Sequence, residues 1–172
     1  MRLFIAINFN NNSKAQLLKL RDVLRSRSKG GNFSRPENIH LTLAFLGECD
    51  ARQTAAAKAA LDAVGFAPFF VEINQIGKFR RYGGDLWWVG VKKNELLSNL
   101  HRQLAELLEN AGFELESRKF SPHITIGREI ITSAVPWEIE PFGEEVTSIE
   151  LMKSERIQGK LTYTAIHRRQ SQ

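Results

Sequence analysis

The sequence predicts an α+β fold. Three observations carry it: apolar and polar residues alternate at strand period in several short runs, helical apolar stripes are interleaved with them, and one short strand motif occurs twice, each time after a helix. With 172 residues and 42% apolar content, the chain has material for one substantial core. A single domain over residues 1–172 is expected, with halves related by pseudo-symmetry and strands mostly antiparallel.

Residues 2–9 alternate, placing Leu3, Ile5, Ile7 and Phe9 on one face of a strand. Ser13 and Gln16 form a capping-box pattern that opens a helix with Leu17, Leu20 and Leu24 at helical spacing. That helix should fade in the serine, lysine and glycine stretch 26–31. A second strand is expected over 39–46, after Pro36, with Gly47 closing it. Asp50 is placed to cap an alanine-rich helix that ends at Gly65. Two β-rich runs, 69–76 and 86–91, flank the basic segment Lys78-Phe79-Arg80-Arg81-Tyr82-Gly83-Gly84, which predicts a hairpin with a positively charged loop. Asn94 caps the clearest helix, striped by Leu97, Leu100, Leu104, Leu107 and Leu108 and stopped at Gly112. The remainder predicts strands over 120–128, 146–153 and 162–168.

Composition narrows the function classes. The apolar stretch at the N-terminus is too brief for a signal segment and no run approaches a membrane span, so a soluble, cytoplasmic protein is expected. The single cysteine, Cys49, allows no internal disulfide and is expected as a small buried side chain. Lys and Arg total 24 against 19 for Asp and Glu, and the resulting +5 favours an anionic partner only modestly. Nothing points to an obligate protein partner, and a monomer is expected.

The repeated motif carries the chemistry. One copy lies in Arg35-Pro36-Glu37-Asn38-Ile39-His40-Leu41-Thr42-Leu43, the other in Phe120-Ser121-Pro122-His123-Ile124-Thr125-Ile126. On a strand, His and Thr of each copy share one face while the flanking Leu or Ile residues anchor the other in the core. Two of the four histidines are followed two positions later by threonine in a chain with seven threonines. Chance gives that on the order of 1% of the time, before the apolar flanks are required. Imidazoles titrate near neutrality, so a pair can supply one proton acceptor and one donor, while threonine hydroxyls can hold phosphate oxygens as charge builds. The motifs alone do not say which histidine is acid and which is base. Arg128 would add charge-assisted bonds, yet strict alternation puts it with Ile124 and Ile126, so it reaches the site only if the strand ends or bulges at Gly127. His101 and His167 are expected off the site. Two histidines far apart in sequence, without HExxH or clustered carboxylates, fall short of a three-ligand zinc site, and neither a P-loop nor a GxSxG elbow is present. Neither metal nor cofactor is expected.

On these motifs, together with Met1-Arg2-Leu3-Phe4-Ile5-Ala6-Ile7, Ala44-Phe45-Leu46-Gly47-Glu48, Gly127-Arg128 and Leu151-Met152-Lys153-Ser154-Glu155, the chain resembles the two-histidine phosphoesterases. Within them it is similar to the bacterial and archaeal RNA 2′,3′-cyclic phosphodiesterases once called 2′-5′ RNA ligases. The resemblance implies two lobes around a central cleft, one motif per lobe, and metal-independent hydrolysis of an RNA 2′,3′-cyclic phosphate end to a 2′-phosphomonoester. It implies His40 as the donor to the departing 3′ oxygen, His123 as the base, and Thr42, Thr125 and Arg128 as phosphate contacts. Where that family commonly has alanine before the arginine, this chain has Gly127. Phe79 and Tyr82 are candidates to stack a terminal base, beside Phe45 and Trp88, and Arg80 and Arg81 to touch the RNA backbone. Two other readings stay open: a non-catalytic module that grips an RNA terminus or nucleotide, and 2′-5′ ligation at the same site.

Overall fold

The computed structural model describes residues 1–172. The chain forms β1 (Arg2–Asn8), α1 (Asn11–Ser26), β2 (Ser28–Phe33), a 3-10 turn (Pro36–Asn38), β3 (His40–Glu48), α2 (Ala51–Ala63), β4 (Phe69–Phe79), β5 (Asp85–Val91), α3 (Glu95–Asn110), β6 (His123–Thr132), β7 (Phe142–Val146), β8 (Ser148–Ile157) and β9 (Lys160–Gln170). The strands make two sheets, ordered β3-β1-β8-β9 and β2-β6-β5-β4-β7, and every ladder is antiparallel. No helix is long and apolar enough to cross a membrane.

The unit behind the expected duplication is a strand, a helix, and a second strand that returns beside the first with histidine at its start. It occurs as β1-α1-β3 and again as β5-α3-β6. The sheets are nevertheless not the two halves of the sequence. β2 leaves the first unit to edge the second sheet against β6, while β8 and β9 return to complete the first.

Alternation fixes which side of each strand faces the core. Leu3, Ile5 and Ile7 of β1, Leu41 and Leu43 of β3, and Ile124 and Ile126 of β6 are buried in one cluster with Leu17 and Leu24 of α1 and the leucine stripe of α3. Burial of each such side chain stabilises the fold by about 1.5–3 kcal/mol. The other face of β1 is buried too: Phe4, Ala6 and Met152 form a small separate cluster with Tyr163 against it. That second cluster is the floor of a cleft.

Helix ends follow their caps. Asp50 and Gln53 make the reciprocal capping box on α2, and Asn94 accepts from the Leu97 N–H at the start of α3. Gly112, at φ +97°, takes the left-handed turn just past the end of α3. At α1 the cap is Asn10, whose side chain accepts from the Ser13 N–H at 2.8 Å. The Ser13-Gln16 pattern therefore lies inside the helix, with the Ser13 hydroxyl buried and unpartnered.

Two further expectations are corrected. The stretch after α1 is strand rather than a fading helix end: Asn32 stands opposite Arg128 and Phe33 opposite Gly127. As an edge strand with two register slips it carries no clean alternation, and so no sequence signature. The hairpin is longer than expected, because Lys78 and Phe79 pair with Trp87 and Leu86 and leave only residues 80–84 as loop. β7, not expected as a separate element, lies along β4.

Candidate active site

His40 and His123 are each the first residue of their strand. The turn before β3 aims the Asn38 carbonyl at His40, whose Nδ1 donates to it at 2.8 Å. Ahead of β6 the Ser121 carbonyl accepts from His123 Nδ1, also at 2.8 Å. A carbonyl can only accept, so both rings carry their proton on Nδ1 in the neutral form and present Nε2 as the reactive nitrogen. The two sites differ at that nitrogen. Thr42 Oγ1 lies 2.9 Å from His40 Nε2 and donates to it in the neutral ring, whereas His123 Nε2 has no hydrogen-bond partner.

Each imidazole is also held by a pair of aromatic rings. His40 packs against Phe4 at 4.9 Å and edge-on to Tyr163 at 5.2 Å. His123 packs edge-on to Phe79 at 5.5 Å and Trp88 at 6.4 Å. Trp88 lies where a side chain at Gly77 would be, so this glycine makes room for the indole. Aromatic edges and faces at these separations fix ring orientation without competing for the polar Nε2.

Arg128 reaches the cleft through irregular pairing of β6. β5 advances one residue, Trp87 to Trp88, where β6 moves two, Gly127 to Thr125. β6 then advances three residues, Gly127 to Ile130, where β5 moves back two, Trp87 to Asp85, and Glu129 adopts φ +54°. The slips undo the parity that would have buried Arg128 beneath Ile126; its side chain is exposed instead. Of the two expected routes, an end or a bulge of the strand at Gly127, the pairing shows irregular register on both sides of Gly127 while β6 continues to Thr132.

Two cavities meet at this point. The larger, about 750 Å³, is lined by Phe4, His40, Thr42, Phe45, Lys153 and Tyr163 among others. The smaller, about 500 Å³, runs along β2 past Arg25, Asn32, Phe33 and Arg35 to Thr125. His40, Arg128, Arg156, Leu161 and Tyr163 line both. His123 lines neither, standing on the facing sheet, but its charge is felt across the cleft. Burial lowers the His40 pKa below its ordinary 6.5, opposed by the Asn38 hydrogen bond and reinforced by the positive charges of Arg128 and His123.

The loop candidates are more scattered. Phe79 contacts His123, and the Arg81 guanidinium lies over the Phe79 ring at 5.4 Å. Arg80 and Arg81 are exposed, and Tyr82 is fully exposed at the hairpin tip. None of these four lines either cavity. Sequence reasoning missed Tyr163 and Arg156, which stand at the junction of the cavities. The signal available was an aromatic residue between Thr162 and Thr164 on an expected strand, but only the pairing of β8 with β1 brings that strand beside Phe4. His101 lies off the site, stacked on Phe120 at 3.9 Å, and His167 pairs with Asp62 at 2.7 Å. Cys49 is buried and free.

Comparison with known proteins finds related sequences and a shared fold. Residues 7–87 match the family described as LigT like Phosphoesterase. An RNA 2′,3′-cyclic phosphodiesterase of Thermotoga maritima is 37% identical over 131 residues, covering 74% of this chain and 70% of its own. One of Archaeoglobus fulgidus is 32% identical over 164 residues, covering 90% and 91%. Among solved structures, that of Escherichia coli LigT complexed with 3′-AMP superposes with a TM-score of 0.86 at 26% identity, over 99% of this chain and 97% of the other.

Proposed function

Because the chain belongs to the LigT-like phosphoesterases, a two-histidine phosphoesterase family, we propose that it hydrolyses RNA 2′,3′-cyclic phosphate ends to 2′-phosphomonoesters with His40 and His123 as acid and base. The observation that carries this reading is the matched pair: two histidines from two sheets, each with Nδ1 committed to a backbone carbonyl and Nε2 left for chemistry, with Arg128 close enough to depress His40.

In the proposed reaction His123 Nε2, free of any partner, takes a proton from water as its oxygen attacks phosphorus. The P–O3′ bond breaks on the far side, and protonated His40 gives its Nε2 proton to the departing 3′ oxygen. The phosphate stays on O2′. Thr42, Thr125 and Arg128 hold the non-bridging oxygens, where charge grows in the transition state. The low pKa of His40 fits the donor role once substrate is bound. An anionic phosphate restores the proton that burial and Arg128 disfavour, and the depressed pKa makes the protonated ring the stronger acid. Phe79 beside His123, with Tyr82, Arg80 and Arg81 beyond it on the hairpin, is the proposed contact for RNA at that lobe. Catalysis here uses side-chain acid and base, with no step assigned to a metal ion.

The test is product analysis. Incubated with a chelator and a short RNA ending in a 2′,3′-cyclic phosphate, the protein should form the 2′-phosphate, and His40→Ala and His123→Ala should not. A 3′-phosphate, or an unchanged end, would overturn the reading. RNA joined through a 2′-5′ bond in excess of hydrolysis would assign the site to ligation instead.

A further inference from the structure

The two cavities that meet at His40 and Arg128 differ in chemistry. In the larger one the cations are partly satisfied: Lys153 pairs with Glu155 at 3.3 Å, the N-terminal ammonium with Glu48 at 3.6 Å, and Arg2 covers the half-exposed Phe45 ring at 5.0 Å. With Phe4, Phe45 and Tyr163 on its walls and the carboxylates of Glu48 and Glu155 beside its cations, this arm is the more aromatic and the better compensated of the two, although Arg128 and Arg156 line it as well. The smaller arm is lined by Arg25, Arg35, Arg128 and Arg156 and by no carboxylate.

The spare charge of the smaller arm is specific. Arg25, Arg128 and Arg156 take part in no ion pair, while Arg35 shares Glu37 at 3.3 Å. The other nearby acid, Glu129, is occupied by the Asn32 amide. Arg25 is fixed in place, its guanidinium lying 4.9 Å over the Phe33 ring. Arginines gathered without acids, one of them stacked on an aromatic face, form the surface that binds a phosphate backbone with a base packed beside it.

We infer that the arm along β2 is a subsite for the polynucleotide on the 5′ side of the reacting nucleotide, so that this chain acts on RNA ends in preference to mononucleoside cyclic phosphates. The inference rests on the proposed hydrolase reading. With the cyclic phosphate at His40 and Arg128, the terminal base enters the aromatic arm. The chain then leaves through O5′ into the arginine arm, where the first phosphodiester meets Arg35 and Arg156 and the preceding base packs on the Arg25–Phe33 pair.

The experiment compares two substrates on the full chain: a mononucleoside 2′,3′-cyclic phosphate and a pentaribonucleotide with the same end. The expected wild-type result is a kcat/KM for the pentanucleotide at least about tenfold higher, with a steeper decline as salt rises. Arg25→Gln and Arg25→Glu should lower that ratio progressively, because each removes the guanidinium on which the preceding base packs. Arg25 is exposed at the end of α1, so unchanged melting of both variants will certify the fold. Equal kcat/KM for the two substrates, or a loss in the variants shared equally between them, would overturn the subsite while leaving the hydrolase standing. Turnover of neither substrate would overturn both.

Discussion

Thr42 Oγ1 stands 2.9 Å from His40 Nε2, so in the free site this hydroxyl partners the nitrogen that, in the proposed reaction, gives its proton to the leaving 3′ oxygen. Thr42→Val keeps the shape and removes the hydroxyl. It should lower kcat about tenfold, the loss of one hydrogen bond to a charged group that strengthens in the transition state. Steady-state kinetics on the cyclic-phosphate RNA checks this, and a KM change at constant kcat would assign Thr42 to uniform binding instead.

His40→Ala and His123→Ala should each cost at least about a hundredfold in kcat, the usual contribution of a positioned acid or base. The double variant should lose little more than either single one, because neither half of a proton relay works alone. Additive losses would show that the two rings act independently.

The acid-base pair also sets a pH signature. Burial, with Arg128 and His123, pulls the free His40 pKa below 6.5, so the donor form required for binding and turnover is depleted as pH rises through that lowered value. The profile of kcat/KM should be a bell displaced to acid pH. A bound phosphate anion favours the His40 imidazolium, so the alkaline limb of the kcat profile should lie at higher pH than that of kcat/KM. Coincident bells would mean that substrate does not sit between the histidines.

Gly127 is close-packed. A Cβ there would stand 2.7 Å from Ile130 Cδ1 and 3.1 Å from its Cγ1. Gly127→Ala should therefore destabilise the fold by about 1–2 kcal/mol through overpacking. Ile130→Val, which removes Cδ1, should recover most of it in denaturant titrations. Equal stability of Gly127→Ala and the parent would show that the strand yields at no cost.

Stability should fall in acid for a related reason. Burial lowers the pKa values of His40 and His101 in the folded chain below 6.5. The unfolded chain takes up these protons first, so their contribution is complete above about 6.5 and is lost as pH falls through the lowered folded values. His101→Phe keeps a ring against Phe120 and should soften the decline between pH 7.5 and 5.5. An unchanged decline would assign the acid sensitivity elsewhere.

What could be read from the sequence, and what could not, follows from the range of each interaction. The helices, their caps at Asp50 and Asn94, and the buried flanks Leu41, Leu43, Ile124 and Ile126 are local patterns, legible in a few residues. So were the two histidines. The position of Arg128 depends on slips against β5, and strict alternation argued against it until the pairing was known. Tyr163, Arg156 and the cluster of Arg25 with Phe33 become neighbours of the site only through pairing of distant strands, which leaves no periodic trace.

That β1 lies between β3 and β8 bears on how the chain is made. Ala6 must wait for Glu150 before its second ladder can form, whereas the other sheet draws all its strands from Ser28–Val146. A chain emerging from the ribosome can thus assemble the His123 sheet while the His40 sheet still lacks half its strands. The loop closed by that last pairing is long, but closure entropy grows only logarithmically with length, so the cost is one of timing more than of stability. Synthesis therefore withholds His40 from its final setting, with Tyr163 edge-on against the ring, until β8 and β9 are out.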